Sequence, residues 1–179
     1  MPKVKFEISV KRIEREGSPV LSNKGFDDVE FMIATNVGEN LAQMSKIVSG
    51  GELARIMLAI KSTISNKNNA QTIIFDEIDT GVSGSTSQKI GIKLAKISKS
   101  MQTICVTHSP QIASLCDNHY LIKKSEIDGR AYSSVTLLTK DKRIDEIARI
   151  IGGIDLTSKQ YDAAKDLILQ SENLLKEIK

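Results

Sequence analysis

Tryptophan is absent from the 179 residues, and phenylalanine and tyrosine bring the aromatic content to only 4%. So sparse a set offers no platform on which nucleic-acid bases could stack in succession. The two cysteines, Cys105 and Cys116, lack CxxC spacing. Cys105 also lies in an apolar run, so both are expected to be reduced thiols in a cytosolic protein. No apolar run reaches the roughly 18 residues of a membrane span. The opening MPKVKFEISVKRIE has no apolar core of a secretion signal. Neither sign of charge dominates: 25 Lys and Arg against 22 Asp and Glu leave a net +3, too mild to argue for nucleic-acid binding by itself. A Ser-His-Asp set, a zinc cluster, a G-x-G-x-x-G and a G-x-x-x-x-G-K-[ST] are all missing.

What is present suits a globular chain. Hydrophobic residues make up 40% and charged residues 26%, and the length is enough for one good-sized core, so a single domain over 1–179 is expected. It subdivides into a β patch over 1–40, a central core over 45–125, and a hairpin with C-terminal helices over 126–179. Residues 3–10 alternate, with Val4, Phe6, Ile8 and Val10 on one face of a half-exposed strand. Residues 16–19 read as a turn, and residues 28–35 as a second strand. The short apolar runs 71–75 and 102–106 flank a helical pattern carrying Ile90, Leu94 and Ile97. A short helix at 112–115 and a strand at 119–122 follow. This β-α-β-α-β order of apolar strands predicts a parallel sheet covered on both faces. Asp128-Gly129 marks a hairpin between 120–123 and 133–138. Two helices close the chain, over 143–151 and from Thr157 or Ser158 onward. No internal repeat is found.

The stretch Lys46–Ile60, KIVSGGELARIMLAI, draws the rest together. Leu53, Ile56, Met57, Ile60 and Ile64 recur at the spacing of one helical stripe. Ser49 is placed as its N-cap, with Glu52 completing a capping box. Gly50 and Gly51 admit a ligand close to the backbone, and the first helical N–H groups favour an anion. A plain capped helix with a glycine turn explains these residues equally well. Further on, Asp76 and Glu77 end a buried run, where unpaired charge is expensive to bury. Asp76 suits Mg²⁺, directly or through water, and Glu77 suits orienting or deprotonating a water. His108 ends the next strand and could donate to a phosphate oxygen. Arg55 suits either the nucleotide interface or a surface ion pair. These elements imply a phosphate that a chain without a P-loop cannot cradle alone.

Taken together, the motifs resemble those of ATP-binding-cassette ATPases. Ser49-Gly50-Gly51-Glu52 resembles the signature motif, Ile73-Ile74-Phe75-Asp76-Glu77 a Walker B strand with its catalytic glutamate, Asp79 the D-loop aspartate, and Val106-Thr107-His108 the switch histidine, all in family order. FDEIDTGVSG at 75–84, VTHSPQIASLCDNHYLIKK at 106–124 and ATNVGE at 34–39 are similar to the RecN family of bacterial double-strand-break repair proteins, relatives of the structural-maintenance-of-chromosomes ATPases. Val48 departs from the leucine common in the wider family.

The resemblance implies an α/β fold, the C-terminal lobe of a P-loop-type head with a parallel sheet flanked by helices and a small antiparallel patch at its start. It implies ATP and Mg²⁺ as cofactors. Its implied partners are a missing N-terminal Walker A lobe and coiled coil, a second head dimerised around ATP, and DNA; no membrane is implied, and the setting is the bacterial cytoplasm near the nucleoid. Ser49 and the Gly50–Gly51 amides would reach ATP on the opposite head, Asp76 would hold Mg²⁺, Glu77 would position water, His108 would sense the γ-phosphate, and Asp79 would contact across the dimer. The alternatives are a non-catalytic dimerisation or DNA-clamp lobe, or the head of another chromosome-maintenance ATPase.

Overall fold

The computed structural model describes residues 4–34, 38–47, 49–64, 71–153 and 156–178. Thr35–Val37 of the 34–39 stretch and Val48 lie outside them. The chain divides into two compact units, Met1–Ser49 and Gly50–Lys179.

In the first unit, β1 (Lys5–Arg12) runs antiparallel to β4 (Asp27–Ala34) in register from Lys5↔Ala34 to Arg12↔Asp27. Between them β2 (Glu14–Arg15) and β3 (Ser18–Pro19) form a minimal hairpin. Its two turn residues, Glu16 and Gly17, both have positive φ, the twist that two-residue hairpins need. The other edge of β4 pairs with β5 (Ala42–Gln43), and α1 (Met44–Ile47) follows. Alternation sets Phe6, Ile8 and Val10 opposite Ile33, Phe31 and Val29. Ile33 is buried, whereas the other five are exposed.

The second unit opens with α2 (Gly50–Ile64), immediately after Ser49. Of the expected stripe Leu53, Ile56, Met57, Ile60 and Ile64, Ile56 and Ile60 are half-buried, but the buried side is rotated from it. Leu58 is buried and Ala54 packs on the core, while Leu53 and Met57 are exposed. Gly51 is also buried. Small residues at 51 and 54 let the helix backbone approach its neighbours closely, so the helix turns that side inward. Strand β6 (Thr72–Phe75) and strand β7 (Gln102–Cys105) are parallel, with Ile74 opposite Ile104 and Phe75 opposite Cys105. Helix α3 (Gly84–Ile97) crosses between them and buries Ile90, Leu94 and Ile97. These join Leu58, Phe75, Ile78, Met101 and Ile112 in the main core, each large apolar side chain contributing about 1.5–3 kcal/mol.

Two sequence expectations are corrected here. Among the described residues the parallel sheet has two strands, not three, because β8 (Tyr120–Ile127) pairs with β9 (Arg130–Leu137) in an antiparallel hairpin. The Asp128-Gly129 turn, with both residues at positive φ, fixes that hairpin and takes up one edge of β8. Nor is the parallel pair covered on both faces, since Ile74, Ile104 and Val106 are exposed. Pro110 sits at the start of the short helix α4 (Pro110–Ala113). Helices α5 (Lys140–Gly152) and α6 (Ser158–Ile178) pack on each other through Ile147, Ala148 and Ala164. Thr139 caps α5 by accepting from Lys142 N, and Gly153 ends it at φ 79°. Arg143 Nη2 donates to the carbonyls of Ser114 (2.7 Å) and Cys116 (2.8 Å), closing the end of α4.

Candidate functional site

Parallel pairing brings the carboxyl ends of β6 and β7 to the same edge, and Val106 N donates to Phe75 O (2.9 Å) to hold them level. In parallel α/β sheets this is the edge where ligands bind. Asp76 and Glu77 leave the end of β6, and Thr107 and His108 the end of β7. Asp76, Glu77 and His108 are all exposed, so the chemistry-bearing groups face outward from one rim.

Glu77 has φ 56°, the left-handed region that non-glycine residues seldom adopt and that recurs at functional sites. The chain then turns tightly, with Thr80 N donating to Glu77 O (3.0 Å). The start of α2 lies against this turn. A Cβ on Gly50 would come 2.9 Å from Glu77 Oε2, and one on Gly51 would come 2.8 Å from the Glu77 carbonyl and 3.0 Å from Thr80 Cβ. The glycine pair therefore serves close packing of the signature helix on the Glu77–Thr80 turn. Ser49 and Glu52, on either side of the pair, complete the stretch, with Glu52 in the first turn of α2.

Those contacts separate the two glycines. Gly51→Ala is expected to cost about 1–3 kcal/mol, the usual penalty for overpacking against a backbone that cannot yield. Gly50→Ala should cost less, because it meets only the end of a flexible side chain. Urea denaturation of both variants checks this, and equal midpoints would contradict it.

Arg55 forms no ion pair among the described residues. Its Nη1 donates to the carbonyls of Ile78 (3.2 Å) and Thr80 (2.8 Å), fastening α2 to the turn. Asp79, at the centre of that turn, is 2% exposed. Its Oδ2 accepts from Thr107 Oγ1 (2.6 Å) and His108 N (2.9 Å) and lies 3.2 Å from His108 Nδ1. Burial pushes the Asp79 carboxyl pKa up, but the hydrogen bonds from Thr107 and His108 outweigh it and hold the group below its ordinary value. Thr107 was missed as a functional residue from sequence. Its signal was only a hydroxyl beside the histidine, and its partner is 28 residues away. Cys105, beneath the rim, is pushed up to about 12 by burial and then by the charges of Asp79 and Asp76, so its thiol stays protonated and unreactive at neutral pH.

Asp76 fits a Mg²⁺ ion as a single ligand. Among the described residues no three His, Cys, Asp or Glu side chains gather as a metal site, and Mg²⁺ is commonly held by one or two carboxylates together with water and substrate phosphates. The rim thus carries two exposed carboxylates, a histidine beside a buried aspartate, and a glycine-rich helix start.

In fold the chain resembles one lobe of an SMC-type head. A solved Smc head domain with a coiled coil and joint from Pyrococcus yayanosii superposes with a TM-score of 0.54 at 22% identity, over 82% of this chain and 26% of that one, which supports the fold. The chain belongs to the RecN family: it is 45% identical over 159 residues to the DNA repair protein RecN of Bacillus subtilis, and 41% identical over 168 residues to that of Halalkalibacterium halodurans. It spans 28% and 30% of the length of these relatives, while 88% and 94% of the chain is matched. No protein-family model matches the chain. No helix among the described residues is long and apolar enough to cross a membrane.

Proposed function

We propose that this chain is the C-terminal part of an ATP-hydrolysing head that dimerises around ATP in bacterial double-strand-break repair, and that it acts as one lobe over its whole length. The observation that carries the reading is the convergence of Asp76, Glu77 and His108 on one sheet edge, beside the helix start at Gly50–Gly51. Bound Mg²⁺ would neutralise charge on the transferring phosphate. Asp76 would hold that ion, Glu77 would orient or deprotonate the attacking water, and His108 would contact the γ-phosphate. Ser49 and the amides of Gly50 and Gly51 face the ATP of the opposite head, where the helix start favours an anion. Asp79 meets that head through its backbone, since its carboxylate is held inside. A purely structural clamp has no use for a glutamate on strained backbone or a histidine fixed by a buried carboxylate, which disfavours the non-catalytic reading.

The missing partner is a Walker A lobe. Supporting this, β7 pairs only with β6 and β8 only with β9 among the described residues. A groove of about 890 Å³ runs between β7 and β8, lined by Ile104, Val106, Tyr120, Ile122 and Val135. These side chains are exposed, and apolar surface of this kind is what a second lobe of the same head would cover. DNA is the expected macromolecular partner of the whole protein; here Lys89, Lys93 and Lys96 form an exposed basic stripe on α3, suited to salt-sensitive phosphate contacts.

The chain alone should release phosphate from ATP at the background rate, because it has no P-loop amides or lysine for the β- and γ-phosphates. Adding a separately expressed P-loop lobe of the same protein should produce Mg²⁺-dependent turnover. Turnover by the chain alone that vanishes in Glu77→Gln, or none after the lobes are combined, would refute the proposal.

A further inference from the structure

We infer that Asp79 is a positioning residue acting within its own chain: its buried carboxylate fixes the ring of His108 with the proton on Nδ1 and Nε2 as the nitrogen presented to ligand. The inference of ring state rests on this chain's geometry alone; its use in hydrolysis rests on the ATPase reading above. An ionised carboxylate can only accept hydrogen bonds. Asp79 Oδ2 takes Thr107 Oγ1 at 2.6 Å and His108 N at 2.9 Å. His108 Nδ1 lies 3.2 Å from the same oxygen; a bare nitrogen lone pair there would face the carboxylate's own, so the proton belongs on Nδ1. Thr107 Oγ1 also accepts from Ser109 N at 3.0 Å, so the loop is tied on both sides of the histidine.

The opposite end of the latch is equally fixed. Asp79 is 2% exposed, whereas the His108 side chain is 81% exposed, so the anchor is inside and the working face is outside. The turn that carries Asp79 is held by Arg55 through Ile78 O and Thr80 O. Signature helix, turn and histidine thus form one mechanical chain. With Nδ1 committed to Asp79, the ring donates to a phosphate oxygen only when Nε2 is protonated as well. In the neutral ring Nε2 is an acceptor, open to a water hydrogen.

The ring state is read by ¹⁵N-edited NMR of the 179-residue chain at a pH where the ring is neutral, with His108→Gln separating its signals from those of His119. The expected result is a dominant Nδ1–H tautomer, a preference lost in Asp79→Ala, which has no acceptor at that place, while the His119 signals stay where they are. A dominant Nε2–H tautomer in the unaltered chain overturns the proposal, and needs no variant to fold. In the complete head, Asp79→Ala should lower kcat by at least about tenfold, a modest share of the ~10⁴ that a wrong tautomer costs a catalytic triad, with KM within about twofold. It should have no further effect once His108 is alanine, because the two residues act as a unit. A normal kcat in Asp79→Ala despite a lost tautomer preference would refute the catalytic use and leave the ATPase reading standing. An unaltered complete head without hydrolysis would refute the ATPase reading and leave the tautomer assignment standing.

Discussion

In a complete head assembled with its Walker A lobe, Glu77→Gln is expected to lower ATP hydrolysis about 10²- to 10⁴-fold, the usual worth of a positioned general base. ATP binding should survive, and the ATP-bound dimer of heads should accumulate. The substitution keeps the shape of the side chain and removes its charge and basicity. It leaves the left-handed backbone at residue 77 (φ 56°) facing the same steric cost, so the turn that presents residue 77 should persist. Some favourable charge at the start of α2 is lost, since the carboxylate oxygen lies over Gly50; a side chain near a helix start contributes about 0.3–1 kcal/mol, too little to unfold the unit. Asp76 is untouched, so the role proposed for it on Mg²⁺ is unaffected. Phosphate release, nucleotide binding and size-exclusion chromatography with multi-angle scattering, with and without Mg-ATP, separate these effects. Hydrolysis at the unaltered rate would remove Glu77 from the mechanism.

Local chemistry made much of this arrangement legible in the sequence. The runs ending at Phe75 and Cys105 form the expected parallel strands, because β-branched apolar residues followed by charged ones describe a strand leaving a core. Asp128-Gly129 identified its hairpin, since few residue pairs accept positive φ twice. Helix α2 was legible as a helix but not in its rotation. Periodicity weighs large apolar residues, and here the inward side is set by Gly51, Ala54 and Leu58, two of them small. The misplaced third strand has a related cause. Tyr120–Ile122 reads equally well in a parallel sheet or a hairpin, and only hydrogen-bond pairing distinguishes them. At the site, sequence order supplied Asp76, Glu77 and His108. The Asp79–Thr107–His108 latch and the Arg55 tether join residues more than 20 positions apart, and neither follows a spacing that sequence alone could reveal.

Ser49→Arg should act differently from any change at the strand ends. Ser49 and Gly50 are both exposed, so a larger side chain at 49 need not displace any core residue, and the chain should fold, losing no more than the roughly 0.5–2 kcal/mol that a serine N-cap contributes. What changes most is the approach to the helix start. A helix N-terminus attracts an anion because several N–H groups converge where no side chain intervenes. An arginine there brings a positive charge, but it also fills the space that the two glycines leave open, and close backbone approach to phosphate depends on that space. Steric exclusion should prevail, because a tethered cation cannot substitute for backbone donors it keeps out of reach. The expected outcome in the complete head is loss of ATP-driven dimerisation and of hydrolysis, with ATP still bound at each head's own Walker A lobe. Ser49→Ala, which removes only the hydroxyl, should weaken dimerisation far less, and this contrast separates blocked access from a lost hydrogen bond. Scattering-detected chromatography with Mg-ATP, run beside a nucleotide-binding assay on both variants, reads both quantities. An ATP-dependent dimer in Ser49→Arg would show that this helix start does not face the nucleotide of the opposite head.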